Sequence, residues 1–314
     1  MLRKLLLVAA IALLLAACGT IPTITPHETS APVQAQAPHA PKIVLVVLEN
    51  KDADKVMQNL GDLPFLRRMY NEGAYLSNYY GVAHPSQPNY VALVSGSIEG
   101  VHGDCPATLA RNHLGQQLDQ SLKFWKVYAE GYPSGDCNLS EKLSADNGDY
   151  ARKHVPFLSF KDIQQDKHAC SAHITGFDNF RRDADAHSLP SFSLVIPNLT
   201  DDAHNPQLIK SSADRLKVAD DWLQTQLGPI IDSAEFKRDV ILIVTFDEND
   251  DYWPYFWHTG NKVFTVLRGD HVIHKEEPTV YDHYDLHRSI EANFGLTHEP
   301  VPGIDARVIQ GIWR

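Results

Sequence analysis

Two apolar runs in this sequence end in carboxylates. Lys42-Ile-Val-Leu-Val-Val-Leu48 leads into Glu49-Asn50, and Val240-Ile-Leu-Ile-Val-Thr-Phe246 leads into Asp247-Glu248. Short runs rich in β-branched residues read as central strands of a largely parallel sheet, covered on both faces. Open α/β sheets bind ligands beyond the carboxyl ends of such strands. Acidic tips on neighbouring strands repel each other unless a cation or protons lie between them. On spacing alone, a surface turn ending in Glu-Asn fits the first pair equally well.

A third segment supplies a hydroxyl. In His84-Pro-Ser-Gln-Pro-Asn-Tyr90, continuing Val-Ala-Leu-Val-Ser-Gly96, two prolines limit the backbone around Ser86. The run Tyr90 to Val94 reads as buried. Rigid surroundings of this kind can aim a hydroxyl at a ligand. The plainer reading is a proline-rich turn entering a helix, with Ser86 or Asn89 as its cap.

The whole set of motifs is more specific than any one of them. The stretch around Ser86 resembles the nucleophile segment of phosphate-ester hydrolases in the alkaline phosphatase superfamily. It is most similar to the bacterial acid phosphatase and phospholipase C branch, the phosphoesterase family. Four further pieces resemble that family's motifs in its order: Glu49-Asn50 after IVLVVL, PNLTDDAH at 197–204, TFDEND at 245–250 and YDHYDLHRSIEANFGL at 281–296. The resemblance covers roughly 41–314.

It implies a three-layer α/β/α sandwich around a mostly parallel sheet. It also implies metal-dependent hydrolysis of phosphate monoesters through a phosphoserine on Ser86. Glu49, Asn50, Ser86, Asp247 and Glu248 would hold a divalent cation that lowers the pKa of the Ser86 hydroxyl. Asn89 would orient a nonbridging phosphate oxygen. His204 or His283 would protonate the departing alkoxide and then assist water, with Asp202 as the partner of His204. His102, in the glycine-rich exit after the nucleophile segment, and His154, in Arg152-Lys-His-Val-Pro-Phe157, are candidates for substrate contact, with Lys153 beside them.

The sequence also departs from the common two-metal pattern. Glu49 stands where an Asp is usual, Glu248 where many relatives carry His, and Thr200 four residues before His204 where an Asp is usual. One ion is therefore expected. Oxygen-rich coordination suits magnesium, calcium or manganese better than zinc, which stays possible. The alternatives are a phospholipase C-type phosphodiesterase, to which the aromatic stretch Asp250 to His258 points, and a catalytically inactive surface-binding lipoprotein.

The chain opens MLRKLLLVAAIALLLAACGT, with Arg3 and Lys4 before an apolar stretch from Leu5 to Ala17. That stretch is short for a membrane span and suits an export signal. LAAC resembles a lipobox, so 1–17 reads as a lipoprotein signal peptide with Cys18 as the lipidated residue. The expected location is a bacterial extracytoplasmic membrane surface, periplasmic or cell-surface, with the outer membrane favoured. Residues 18–41 read as a Pro/Thr/Ala-rich tether and 42–314 as the phosphoesterase domain.

The 28 basic and 39 acidic residues give a formal charge of -11. That argues against a nucleic-acid partner, while local cations still leave room for small phosphate esters or phospholipid headgroups. With Cys18 lipidated, Cys105, Cys137 and Cys170 imply one disulfide and one free thiol, the pairing being open.

The elements that must position these groups follow from periodicity and breakers. Residues 51–72 predict a helix broken near Gly61-Asp62, and Tyr75 to Tyr80 leads toward Ser86. A helix is expected over Thr108–Leu122 and a strand over Phe124–Tyr128. Ser191–Ile196 predicts a strand, and Ser211–Leu227 a helix with Leu216, Ala219, Leu223 and Leu227 on one face and an Asp214–Lys217 pair. Lys262–Leu267 predicts a strand followed by a polar loop, GDHVIHKEEP, and a helix should run from near His283 through Phe294.

Overall fold

A computed structural model of the protein describes residues 40–133, 135, 137–141, 150–204, 211–250 and 260–314. The signal peptide, Cys18, nearly all of the tether and the aromatic residues 251–258 lie outside the described residues.

The central runs form strands because their β-branched residues are buried on both faces. β1 (Lys42–Leu48) is buried from Ile43 onward and β6 (Val240–Phe246) throughout. The other strands are β2 (Ala74–Tyr80), β3 (Trp125–Ala129), β4 (Ile174–Gly176), β5 (Phe192–Ile196), β7 (Val266–Arg268) and β8 (Lys275–Asp282). They form one sheet in the order β4-β3-β5-β1-β6-β7-β2-β8. β7 runs antiparallel to both its neighbours, whereas the other pairings are parallel. The mixed sheet flanked by helices is the α/β architecture expected from the sequence.

β1 and β6 are neighbours, with Leu48 opposite Phe246. Glu49 and Asp247 therefore leave the sheet side by side. This register turns two distant acidic pairs into one cluster.

The helix Ser86–Ser95 carries the hydroxyl. Pro88 sits in its first turn, where a missing N–H breaks no helical hydrogen bond. Every residue from Ser86 to Val94 is buried, so the helix has no solvent face. It packs against the helix His283–Phe294 and the short turns Arg152–His154 and Pro156–Ser159. Gly96 ends it in the left-handed region, φ 72°, and a β-carbon there would stand 3.0 Å from the His287 ring.

Several expectations need correction. The helix expected at Thr108–Leu122 covers only Leu114–Gln120. Leu109 instead exchanges backbone hydrogen bonds with Ser159 and Lys161, which holds the preceding segment extended. The strand expected at Lys262–Leu267 narrows to Val266–Arg268, with Lys262 and Val263 in isolated bridges. The polar stretch expected as loop becomes strand from Lys275 onward. β8 lies at the sheet edge, where exposed charged residues are tolerated and hide the strand signal. Lys217 pairs with Asp221 at 2.8 Å, while the Asp214 amide is capped by Ser211. Cys137 and Cys170 form the disulfide, and the Cys105 thiol is free and exposed.

Candidate active site

The end of β1 is fixed by its neighbours on both sides. The Glu49 amide donates to the Asp202 carbonyl at 2.7 Å, beyond the end of β5. Asn50 has φ 47°, a conformation Asn tolerates better than most residues. Its amide donates to Asp247 Oδ1 and its side-chain Nδ2 to Glu248 Oε1, both at 3.0 Å. The fully buried Lys51 ammonium donates to the Asn50 carbonyl at 2.7 Å. Burial pulls the pKa of that ammonium down to about 8, against the attraction of Asp250.

Ser86 projects into this cluster from the helix start. Its Oγ lies 3.0 Å from Glu49 Oε2 and 3.1 Å from Glu248 Oε1, and either carboxylate can accept the hydroxyl proton. Lys153 Nζ donates to the same Oγ at 3.3 Å and to Asp104 Oδ2 at 2.8 Å. Burial opposes the charged ammonium, but Glu49, Asp104 and Asp247 outweigh it and raise the Lys153 pKa. Lys153 therefore stays cationic beside the hydroxyl. Asp104 also accepts from the Gln87 amide at 3.1 Å, tying Lys153 to the first turn of the helix.

The carboxylates pay for their proximity with raised pKa values. Burial, then the charges of Glu49 and Glu248, push Asp247 well above the usual carboxylate range. Burial and Glu49 do the same to Asp202. Burial also raises Glu248, although contacts with His84 and Ser86 work the other way. His84 touches Glu248 through Nδ1 and is partly open to solvent.

The histidines and Asn89 divide by their contacts. His154 Nε2 stands 3.1 Å from Glu49 Oε1, and its ring stacks on Tyr90 with centroids 5.1 Å apart. It orients a carboxylate, a different task from the substrate contact expected of it. His283 is fully buried, with Nδ1 2.9 Å from the Tyr79 hydroxyl and Nε2 2.6 Å from the Asp247 carbonyl. Both ring nitrogens are committed, so His283 supports the β6 tip from behind instead of reaching a leaving group. Burial brings its pKa down to about 4.

Asn89 is likewise occupied. Its Oδ1 accepts from the Val82 and Ala83 amides at 2.8 and 3.0 Å, and its Nδ2 donates to the Ala83 and Pro85 carbonyls. The carboxamide clamps the loop before Ser86, which leaves it no donor to aim at a phosphate oxygen. His102 is exposed in the loop after the helix. His204 is half-buried, its amide donates to Asp202 Oδ1 at 2.8 Å, and burial lowers its ring pKa.

His84, Asp104, Tyr79 and Tyr90 were not singled out as site residues by the sequence. His84 had a usable signal, two positions before the hydroxyl. The other three join the site only through the tertiary fold.

Among the described residues, no group of three or more His, Cys, Asp or Glu side chains forms a ready-made metal site. The donors nonetheless suit a hard cation. Asn50 Oδ1 and Asp247 Oδ2 are buried oxygens without a hydrogen-bond partner, and Glu49, Asp247 and Glu248 crowd negative charge around them.

Fold and site together define a hydrolase-type α/β protein, and the chain belongs to the Phosphoesterase family, which it matches over residues 46–297. The phosphate-repressible acid phosphatase of Penicillium chrysogenum is 31% identical over 317 residues, covering 94% of this chain and 72% of that protein. The probable acid phosphatase of Kluyveromyces lactis is 30% identical over 278 residues, covering 86% of this chain and 62% of that one. The chain thus spans less than two thirds of the latter's length. The phosphatidylinositol-3-phosphatase of Mycobacterium tuberculosis is 27% identical, covering 92% of this chain and 86% of that protein. Both acid phosphatases here are fungal, and the link they show is to acid phosphatases broadly.

The fold is similar to that of a Vibrio parahaemolyticus protein in the alkaline phosphatase superfamily. That match has a TM-score of 0.58 at 12% identity and covers 82% of this chain and 67% of the other. A putative sulfatase from Bacteroides thetaiotaomicron gives 0.56 at 12% identity, covering 86% and 73%.

Proposed function

We propose that this chain hydrolyses phosphate monoesters by covalent catalysis at Ser86. The observation that carries the reading is the position of Ser86 Oγ, within 3.0–3.3 Å of Glu49, Glu248 and Lys153. A carboxylate takes the hydroxyl proton, while the Lys153 ammonium stabilises the oxygen that is left. Ser86 Oγ then bonds to phosphorus as the bond from phosphorus to the leaving oxygen breaks. His204 is the group proposed to give the leaving alkoxide a proton, from the imidazolium form that its burial disfavours. In the second step water attacks phosphorus and gives a proton to His204, the bond from phosphorus to Ser86 Oγ breaks, and Oγ takes its proton back from the carboxylate.

Glu49, Asn50, Ser86, Asp247 and Glu248 are the residues that would hold one divalent cation, with magnesium, calcium or manganese favoured by their oxygens. When bound, such an ion lowers the hydroxyl pKa and neutralises charge on phosphate oxygens. Asn89, His154 and His283 are assigned to positioning: the nucleophile loop, Glu49 and the Asp247 backbone respectively.

Phosphorylated lipid headgroups remain in the proposed substrate class, in line with the name of the Mycobacterium tuberculosis relative. The charged N-terminal sequence and LAAC support export and lipidation at Cys18. Mass analysis of the mature terminus should find a modified Cys18, and an unmodified terminus elsewhere removes that assignment. Phosphate release from several monoesters, abolished by chelation and restored by one ion, tests the main reading. An intact folded chain that releases no phosphate with any divalent ion would instead favour the binding lipoprotein. Faster turnover of phosphatidylcholine than of soluble monoesters would favour the phospholipase C alternative.

A further inference from the structure

A cavity of about 280 Å³ is lined by Gln87, Asp104, Pro106, Glu141, Ala151, Arg152 and Lys153. It adjoins the reacting hydroxyl in two ways. Gln87 follows Ser86 in the helix, and Lys153 both lines the cavity and donates to Ser86 Oγ. Four of these seven residues carry charge, in two signs. Lys153 and Asp104 pair at 2.8 Å yet keep 27% and 38% of their side chains exposed. An acyl chain or aromatic ring filling this space would strip water from those charges and return no hydrogen bond. Hydroxyl groups would replace the displaced water with donors and acceptors.

We infer that this cavity is the subsite for the alcohol part of the substrate, and that it selects phosphate monoesters of polyols or sugars over those of apolar alcohols. The inference rests on the phosphomonoesterase reading of Ser86 and extends it to a substrate class. Asp104 is the main specificity-determining residue in it. It faces the cavity while holding both Lys153 and the Gln87 amide, so occupancy of the subsite is sensed at the nucleophile.

Calorimetry on the full chain carrying Ser86→Ala, with magnesium present, separates the two claims. The probes are inorganic phosphate, glycerol 2-phosphate and hexyl phosphate. Inorganic phosphate reports the phosphoryl position alone. Glycerol 2-phosphate should bind at least about tenfold more tightly than hexyl phosphate, as two or three hydroxyl hydrogen bonds of ordinary net strength require. Pro106→Trp, a change at an exposed wall residue, should obstruct the cavity and erase that preference while leaving inorganic phosphate affinity within about twofold. Equal or tighter binding of hexyl phosphate overturns the subsite, as does a preference that survives Pro106→Trp. If inorganic phosphate binds neither this variant nor the unmutated chain, the phosphomonoesterase reading of the site falls, and the subsite falls with it.

Discussion

The Lys153 ammonium stands 3.3 Å from the Ser86 hydroxyl although the two residues are 67 positions apart. Their approach joins a turn on one side of the cleft to the first residue of a buried helix. It makes Ser86 the one hydroxyl among the described residues to contact both acidic strand tips and a cation.

Ser86→Ala removes the attacking oxygen and little volume. The folded variant should lose at least ~10³-fold in turnover, as expected when a covalent step is deleted. Acid quenching of the wild type during turnover should trap phosphate on Ser86. Near-normal turnover by a folded Ser86→Ala chain would rule out the serine as nucleophile.

Lys153→Met keeps most of the side chain and deletes its charge. Turnover should fall ~10²–10³-fold, the scale seen when one preorganised oxyanion donor is removed. Lys153→Arg should recover part of the loss. Steady-state rates with a soluble aryl phosphate decide this, and equal rates for the Met and Arg variants would count against a charge-based role.

The raised pKa values of Asp247, Asp202 and Glu248 predict a proton-linked response to metal. A carboxyl with a raised folded pKa favours folding while protonated and loses that contribution as pH rises through the folded value. The metal-free chain should therefore depend on acid for part of its stability. Magnesium should raise the thermal midpoint more at about pH 7.5 than at about pH 5, where protons compete for the same oxygens. Scanning calorimetry with and without chelator tests this, and a magnesium effect independent of pH would contradict it.

His283 makes a contribution of opposite sign. Its folded pKa is lowered from 6.5 to about 4, so between those values the unfolded chain binds the extra proton. Stability from His283 is complete above the unfolded value and is lost as pH falls toward the folded one. The upper limit is about 3 kcal/mol for a shift of that size. Urea unfolding across this range should show a shallower pH dependence for His283→Gln than for the wild type. Identical slopes would mean that burial of the neutral ring is not the source.

The strand tips were legible because buried strands leave long apolar runs, and the acidic pairs follow them directly. Ser86 was legible from its prolines and from the company of the other motifs. The directions of side chains were not. Asn89 looked suited to a substrate oxygen, yet its carboxamide meets four backbone groups of the Val82–Pro85 loop, which only the folded loop brings near. His283 carried the right residue type at the right place in the order, but Tyr79 from β2 closes its second nitrogen. β8 was hidden because charged residues at a sheet edge carry no apolar pattern.

The helix that begins at Ser86 is buried through Val94, and this decides where the protein can breathe. Amide hydrogens along Tyr90 to Val94 should meet solvent only when the surrounding core opens, placing them among the slowest-exchanging sites in the chain. The Ser86 oxygen is thus mounted on a buried helix. Motion that accompanies turnover is expected in the substrate and in the more open groups nearby, Lys153, Asp104 and His84.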